Sequence, residues 1–255
     1  MSKKLIVIAD DFGLCESVNK GIVKAYNEGI VTEISLMLNS SGTENAISLI
    51  KKHNLKRVGL HLLLFDWINK GEKFNKDNYT TLFLEKTAEE ILDLATQEFK
   101  QFEKELGFIP THICPHQGIH GNLKLLAVII KYASKNNIPI RLPKTLLTSS
   151  EIDAENYAAE IILKRAKIKT TTYLFAHILG SDIKEIKDGF LNDLDTVKPN
   201  EVAEMFVHPG FFDEELMKLS SLNYERARDL TICLDPKFKK DILKKGFKLV
   251  NYSLL

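Results

Sequence analysis

The sequence feature that most constrains the fold is an apolar run that ends in two adjacent aspartates. Residues 5–9 are apolar, and three of them are β-branched; Asp10, Asp11 and, one residue later, Gly13 follow. Such a run predicts a buried parallel strand. Neighbouring side chains of a regular strand point to opposite faces, so both carboxylates can reach one pocket only if the chain bends there. Two carboxylates suit metal binding and proton acceptance, although a helix N-cap or a turn would also favour aspartate.

Strand-like and helix-like segments alternate along the whole chain. The apolar runs lie at residues 5–9, 30–38, 57–64, 111–114, 138–143, 173–179, 201–207 and 247–252. Helical patterns lie at residues 15–28, 43–52, 87–106, 122–135, 154–166, 182–194, 224–230 and 237–245. This order predicts parallel strands with right-handed crossovers, in a barrel or an open sheet. The sequence shows no internal repeat or linker, so we expect a single α/β domain.

Polar residues occur at several of the predicted strand ends. His61 interrupts an apolar run, His116 follows residues 111–114, and His208 precedes a Pro-Gly turn. Arg141 lies inside the run 138–143, where a buried guanidinium needs an anionic partner such as a pocket carboxylate. Each residue also has a structural explanation, namely one backbone hydrogen bond for a buried histidine or emergence of the arginine at a strand end. Their shared position favours one site at the carboxyl ends of the strands.

Three of the seven histidines fall within nine residues. His112, His116 and His120 are each four residues apart. That spacing could mark a helix face, but Pro115 and Gly118 argue against a helix there. A short strand that runs into a loop fits better and favours metal binding, while chance clustering stays open. An aspartate with two histidines suits Zn²⁺, and also Fe, Mn or Co, while a carboxylate with water could hold Mg²⁺.

A long segment at about residues 65–86 interrupts the alternation. It mixes aromatic residues, among them Trp67, Phe74, Tyr79 and Phe83, with Lys, Asn and Gly and shows no clear period. An insertion of this length is often a functional loop or lid, although packing of its aromatics on its own domain is the simpler explanation. Directly after it, Thr87 and Glu90 match a capping box that begins a helix.

Composition excludes several classes of function. The net charge of +1 gives no basic footprint for nucleic acid, and no apolar run is long enough to span a membrane. The first residues lack the pattern of a signal peptide. Cys15, Cys114 and Cys233 are few, odd in number and far apart, which predicts reduced thiols and a cytoplasmic location.

Several short motifs together resemble a known family. They lie, in order, at residues 9–13, 18–22, 29–32, 59–62, 111–120 and 208–210. The ordered set resembles the YdjC/ChbG-like carbohydrate deacetylases. The resemblance implies a distorted TIM-like (β/α) barrel over residues 1–255, with the insertion at about 65–86. It also implies metal-dependent removal of the acetyl group from an N-acetylated sugar or short oligosaccharide of the N-acetylglucosamine type.

The resemblance also implies a ligand set for one divalent metal ion, with Mg or Zn as the expected metal. Asp11, His61 and one histidine of the cluster form this set. We choose His116, because it lies nearer the strand, and keep His120 as the alternative ligand or as a substrate-binding residue.

Three further residues are implied to act in catalysis. Asp10 is the expected base, His208 the expected acid, and Arg141 their electrostatic support. The chain departs from the family at Cys114-Pro115, where Asp-Ser is common, and at Gly118, where histidine is frequent. Because that aspartate is missing, the support that the metal ligands receive from neighbouring residues is expected to differ from the family's.

Two other functions remain open from the sequence. One is a TIM-barrel metal hydrolase or isomerase of sugar phosphates, which predicts a glycine-rich phosphate-binding loop. The other is a non-catalytic sugar-binding relative, which the Cys114-Pro115 departure would suit. In every case we expect a small-molecule sugar as partner, no nucleic acid and no membrane, and we leave a homodimer open.

Overall fold

A computed structural model describes residues 2–64, 85–142, 150–178, 180 and 182–255. Within these residues the strands are β1 (Lys3–Phe12), β2 (Glu33–Leu36), β3 (Val58–Leu60), β4 (Tyr173–Phe175), β5 (Val202–Val207) and β6 (Phe247–Val250). The helices are Glu16–Glu28, Thr43–His53, Ala88–Leu106, Leu123–Asn136, Ser150–Arg165, Ile183–Asp195, Glu214–Leu219, Tyr224–Leu234 and Pro236–Lys244. The predicted insertion at 65–86 lies almost wholly outside the described residues, so its role as a lid stays a prediction.

The strands form one parallel sheet that curves toward closure. Its order is β3-β2-β1-β5-β4, and β6 pairs with the first half of β1. Beyond β3, Leu60 bridges to Ile113 and Ile113 bridges to Ile140. The N–H of Ile140 then donates to the carbonyl of Lys169, shortly before β4. The predicted fold class, a distorted (β/α) barrel in a single domain, is confirmed.

Several predicted strands are longer than the observed ones. The apolar runs 30–38, 57–64 and 173–179 contain strands of four, three and three residues. Apolar runs predict burial, whereas strand pairing also needs a neighbour in register, and β2 and β3 share three paired positions. The capping box is confirmed, because the Thr87 side chain accepts from the Glu90 N–H and Glu90 bonds back to the Thr87 N–H.

Strand β1 separates two apolar clusters. Leu5, Val7 and Ala9 belong to the large core between the barrel and its helices. Ile6 and Ile8 face the barrel interior, where they pack with Val202 and Tyr252. Because side chains alternate along a strand, the next residue of the interior row is Asp10. The carboxyl end of β1 therefore carries a carboxylate into the barrel interior, where the buried acids Glu33 and Glu204 also lie, each hydrogen-bonded to Tyr252. No helix among the described residues is long and apolar enough to cross a membrane.

Candidate active site

The two aspartates reach one pocket because β1 is irregular at its end. Its pairing with β2 shifts register between Ala9 and Phe12. Asp11 has φ +66°, a left-handed backbone conformation that costs a non-glycine residue about 1–3 kcal/mol. This break brings Asp11 back to the side that Asp10 already faces, and both carboxylates lie within 4.0 Å of the His61 ring nitrogens. The bend expected from the sequence is present.

Asp11, His61 and His116 bring three potential ligand atoms together. Asp11 Oδ1 lies 3.1 Å from His61 Nε2 and 3.3 Å from His116 Nδ1, and the two nitrogens are 3.0 Å apart. Ligand atoms about 2.1 Å from one ion would be separated by about 3.0–3.4 Å, for octahedral or tetrahedral angles. Asp11 Oδ1 is also a buried oxygen without a hydrogen bond from the described residues. The donor set therefore fits a divalent metal.

The charge states of this group suit a metal as well. Burial raises the pKa of Asp11, but the charge of Arg226 and its contacts with His116 and His61 outweigh burial and leave the pKa well below its usual range. Burial lowers the pKa of His116 against the opposing pull of Asp11. An anionic carboxylate and a neutral imidazole are the forms in which these groups bind metal.

The second ring nitrogen of His61 contacts two buried side chains. His61 Nδ1 lies 3.0 Å from Ser35 Oγ and 3.3 Å from Cys114 Sγ. Cys114 Sγ in turn donates to Asp10 Oδ1 at 3.4 Å, and burial raises the pKa of this thiol well above its usual range. At the position where the sequence departs from the family pattern, the chain thus places a neutral thiol between His61 and Asp10. Contacts of this kind fix the orientation of a metal-binding imidazole.

Asp10 lies at the end of a buried chain of charged groups. Arg141 Nη1 and Nη2 donate to its two oxygens at 2.6 and 3.0 Å, and Arg141 Nε donates to Glu204 Oε1 at 2.5 Å. The hydroxyl of Tyr252 donates to the other Glu204 oxygen at 2.5 Å. Burial raises the pKa of Asp10, but the charges of Arg141 and His61 outweigh it, so the pKa lies below its ordinary value. Arg141 has the pocket carboxylate partner that the sequence analysis anticipated.

Asp11 has an arginine of its own, which the sequence analysis missed. Arginines on a helix usually lie in solvent, but both arginines of helix Tyr224–Leu234 are buried. Arg226 is 2% exposed, and its Nη2 donates to Asp11 Oδ2 at 2.7 Å. Arg228 is buried too and donates to Asp229 Oδ1.

His208 stands at the end of β5, beside the aspartates. Its backbone N–H donates to Asp229 Oδ2 at 2.9 Å, and its ring lies edge-on to Phe206, with centroids 5.7 Å apart. Burial lowers the pKa of His208, while the nearby charges of Asp11 and Asp10 pull it upward. The residue as a whole is partly buried.

The other two histidines of the cluster pack elsewhere. His120 is buried with Nε2 3.0 Å from the carbonyl oxygen of Arg141. The His112 ring stacks on Tyr252, with centroids 4.6 Å apart, and lies against Gly59, where an added Cβ would come within 2.3 Å of it. Of the three, His116 is the one whose ring nitrogen lies against Asp11 and His61.

Glu98 is a further buried acid close to the site. It accepts hydrogen bonds from the N–H groups of Leu63, at 3.0 Å, and Leu64, where the chain leaves the strand that precedes His61. Burial raises the pKa of Glu98 from 4.5 to about 7, against the two amides, which favour the anion. The folded protein therefore binds more protons than the unfolded chain between these values. The contribution of Glu98 to stability falls as the pH rises through this window.

Glu98→Gln is expected to remove this part of the pH dependence. The free energy of unfolding of the variant minus that of the wild type should increase by about 1–3 kcal/mol as the pH rises from 5 to 8. Denaturant titrations of both proteins at a series of pH values measure this difference. A difference between the two proteins that stays constant with pH would contradict the assignment.

The chain is similar over nearly its whole length to proteins of one known family. The family model described as YdjC-like protein matches residues 4–244. A carbohydrate deacetylase of Clostridium beijerinckii is 32% identical, over 98% of this chain and 99% of its own. A chitooligosaccharide deacetylase of Yersinia enterocolitica is 29% identical over 99% of both chains. A crystal structure from Enterococcus faecalis, named for cellobiose-phosphate cleavage, superposes with TM-score 0.81 at 25% identity, over 100% of this chain and 99% of its own.

Proposed function

The chain belongs to the family of YdjC-like proteins, and from that premise we propose that it is a metal-dependent hydrolase of N-acetylated sugars. Its reaction is removal of the acetyl group from an N-acetylated sugar or short oligosaccharide of the N-acetylglucosamine type. The observation that carries the proposal is the set of three ligand atoms of Asp11, His61 and His116, within 3.3 Å of one another and beside Asp10. The names of the curated relatives support the same reaction class.

One divalent metal ion, Mg²⁺ or Zn²⁺, is proposed to bind Asp11, His61 and His116. When bound, such an ion polarises the acetyl carbonyl and lowers the pKa of a water molecule. His120 is not proposed as a ligand, because its Nε2 lies against the backbone carbonyl of Arg141.

Asp10 and His208 are proposed to move protons, and two arginines are proposed to hold the carboxylates in place. Asp10 accepts the proton of the attacking water, and Arg141 holds both of its carboxylate oxygens in place. His208 donates a proton to the departing amine, which cannot leave as an anion. A histidine with a lowered pKa is a strong donor once it is protonated. Arg226 holds Asp11 Oδ2 and so leaves Oδ1 turned toward the two histidines.

An acetate-release screen tests the proposed function. The substrates are N-acetylglucosamine, its short β-linked oligomers and their phosphates, each with several divalent metals. Acetate release that depends on added metal is the expected result. Release of phosphate without acetate would favour the sugar-phosphate alternative, for which the Enterococcus faecalis relative is named. Sugar binding without turnover would favour a non-catalytic relative.

Arg226→Ala is expected to destabilise the metal-free protein and to enlarge the stabilisation by metal. The substitution leaves the Asp11 carboxylate buried without its partner, and loss of one member of a buried ion pair typically costs about 3–5 kcal/mol. A bound cation restores a partner, so the increase in Tm on metal addition should exceed that of the wild type. Arg226→Lys, which keeps the charge, is the matched control. Its Tm without metal should lie between those of the wild type and Arg226→Ala. An unchanged Tm of the metal-free Ala variant would contradict this role.

We further propose a cytoplasmic location. The three cysteines are unpaired and buried, as expected for a protein from a reducing compartment. A homodimer remains a prediction, which light scattering on the purified protein measures.

A further inference from the structure

The last aromatic residue of the chain, Tyr252, lies buried inside the barrel. It begins a short 3₁₀ helix after β6 and is only 1% exposed. Its backbone N–H donates to Glu33 Oε1 at 2.9 Å, and its ring stacks on His112. The other oxygen of Glu33 accepts from the Thr111 hydroxyl at 3.0 Å. Buried polar contacts therefore fix the C-terminal segment, whereas terminal residues are often poorly ordered.

The Tyr252 hydroxyl is connected to Asp10 through two other side chains. It donates to Glu204 Oε2 at 2.5 Å, and Glu204 Oε1 accepts from Arg141 Nε. Arg141 then donates to both oxygens of Asp10. All four side chains belong to residues that are at most 4% exposed. Glu204 pairs with Ile6, four residues before Asp10, so this network bridges about 13 Å along the strands.

A single guanidinium group, that of Arg141, lies between two buried carboxylates. Its Nη atoms donate to Asp10 and its Nε donates to Glu204, while its carbon lies 4.8 Å from the centroid of the Phe206 ring. Because a buried carboxylate needs hydrogen-bond donors, Glu204 would compete with Asp10 for this guanidinium if it had no other donor. The Tyr252 hydroxyl is that other donor. Burial raises the pKa of Tyr252 well above its usual range, so the hydroxyl keeps its proton.

We propose that Glu204 and Tyr252 are positioning residues for the proposed base Asp10 and act on it through Arg141. This inference rests on the proposed deacetylase function and deepens it, because turnover then depends on the C-terminal segment. While Tyr252 satisfies Glu204, the guanidinium offers both Nη groups to Asp10 and fixes the angle at which its carboxylate meets the attacking water. The described groups of potential metal ligands include neither Glu204 nor Tyr252, so their effect on metal binding should be small.

The first test removes only the hydroxyl group. In metal-loaded Tyr252→Phe, kcat for N,N′-diacetylchitobiose should fall about tenfold, the lower end of the range for residues that support an active-site group without contacting the substrate. KM and the dissociation constant of the metal should each change by less than about twofold, because the hydroxyl contacts neither ligand. Glu204→Gln should lose at least as much kcat. The double variant should lose no more than Glu204→Gln alone, because the hydroxyl acts through Glu204.

Two control variants separate positioning from a general loss of stability. Tyr173→Phe removes a hydrogen bond of the same kind, from the Tyr173 hydroxyl to Glu201 Oε2 at 2.7 Å, shortly before β5. Asn251→Ala removes the acceptor of the Ser253 N–H and so loosens the turn that carries Tyr252, but it keeps the Tyr252 hydroxyl. Both controls should keep kcat within about twofold of the wild type. The Tm of every variant measures its stability.

A second measurement needs no turnover. In metal-free protein with isotope-labelled arginine, the NMR signal of the Arg141 Nε–H is identified by its loss in Arg141→Lys. Its hydrogen exchange should be several-fold faster in Tyr252→Phe and unchanged in Tyr173→Phe. That result supports the positioning network even if the wild type releases no acetate, an outcome that refutes the deacetylase function alone.

Three results would overturn the assignment of Tyr252 and Glu204. The first is unchanged kcat or unchanged Arg141 exchange in folded Tyr252→Phe. The second is an equal loss of kcat in Asn251→Ala at the same Tm, which would indicate a structural role only. The third is a loss of metal affinity in Tyr252→Phe as large as its loss of kcat.

Discussion

Asp10→Asn is expected to keep the bound metal and lose most of the turnover, whereas Asp11→Asn is expected to lose the metal first. The two carboxylates are neighbours in sequence, but their contacts differ. Both Asp10 oxygens are held by Arg141, and Asp10 lies outside the triangle of ligand atoms. Asp11 has one oxygen on Arg226 and the other against His61 and His116. Geometry, and not bulk charge, therefore divides their roles.

The sizes of the two effects follow from this division. Loss of a general base costs about 10²–10⁴-fold in rate, and Asn at position 10 cannot accept the proton. Arg141 keeps its contact with Glu204 in this variant, so we expect the fold to survive. Asn at position 11 replaces an anionic ligand by a neutral one and weakens metal binding itself.

Metal titration with acetate release as the readout measures both variants. Added metal should rescue Asp11→Asn in part and Asp10→Asn not at all. Equal rescue of the two variants, or rescue of Asp10→Asn alone, would show that the roles are assigned wrongly.

Replacement of the histidines should separate metal ligands from packing residues. His61→Ala and His116→Ala should each lower metal affinity by more than about 100-fold, because even residues that merely support a ligand cost about 10–100-fold. His120→Ala is the matched control, since it removes a buried histidine of the same cluster whose Nε2 lies on a backbone carbonyl. It should keep the metal.

Metal content after dialysis against a defined metal buffer measures all three variants, and circular dichroism checks that they are folded. Full metal occupancy in folded His61→Ala would refute its place as a ligand. Metal loss in His120→Ala together with retention in His116→Ala would reverse our choice within the cluster.

The convergence of the site residues could be predicted from the sequence because parallel strands end at one side of a barrel. Asp10, His61, His116 and His208 each follow or end an apolar run. This shared position is enough to predict that they lie close together, without any tertiary contact being known. Glu204 could also have been noticed, since a carboxylate inside the apolar run 201–207 needs a buried partner.

Arg226 shows where such reasoning fails. Arginines on a helix are usually solvated, and the pairing of Arg226 with Asp11 spans 215 residues of sequence. One signal was present, because Arg226 lies four and seven residues before Leu230 and Cys233, both buried, on the same face of the helix. The left-handed backbone of Asp11 could not be predicted from the sequence either. It accompanies the register shift between β1 and β2, which depends on how the two strands pair.

The central claim is that Asp11, His61 and His116 bind one divalent metal on which deacetylation depends. The most direct measurement is acetate release from N,N′-diacetylchitobiose by chelator-treated wild-type protein as Zn²⁺ or Mg²⁺ is added back, with bound metal counted in the same samples. We predict that activity is absent without metal and reaches its plateau at one ion per chain. Full activity in the metal-free protein, or a plateau that requires a second ion, would contradict the claim.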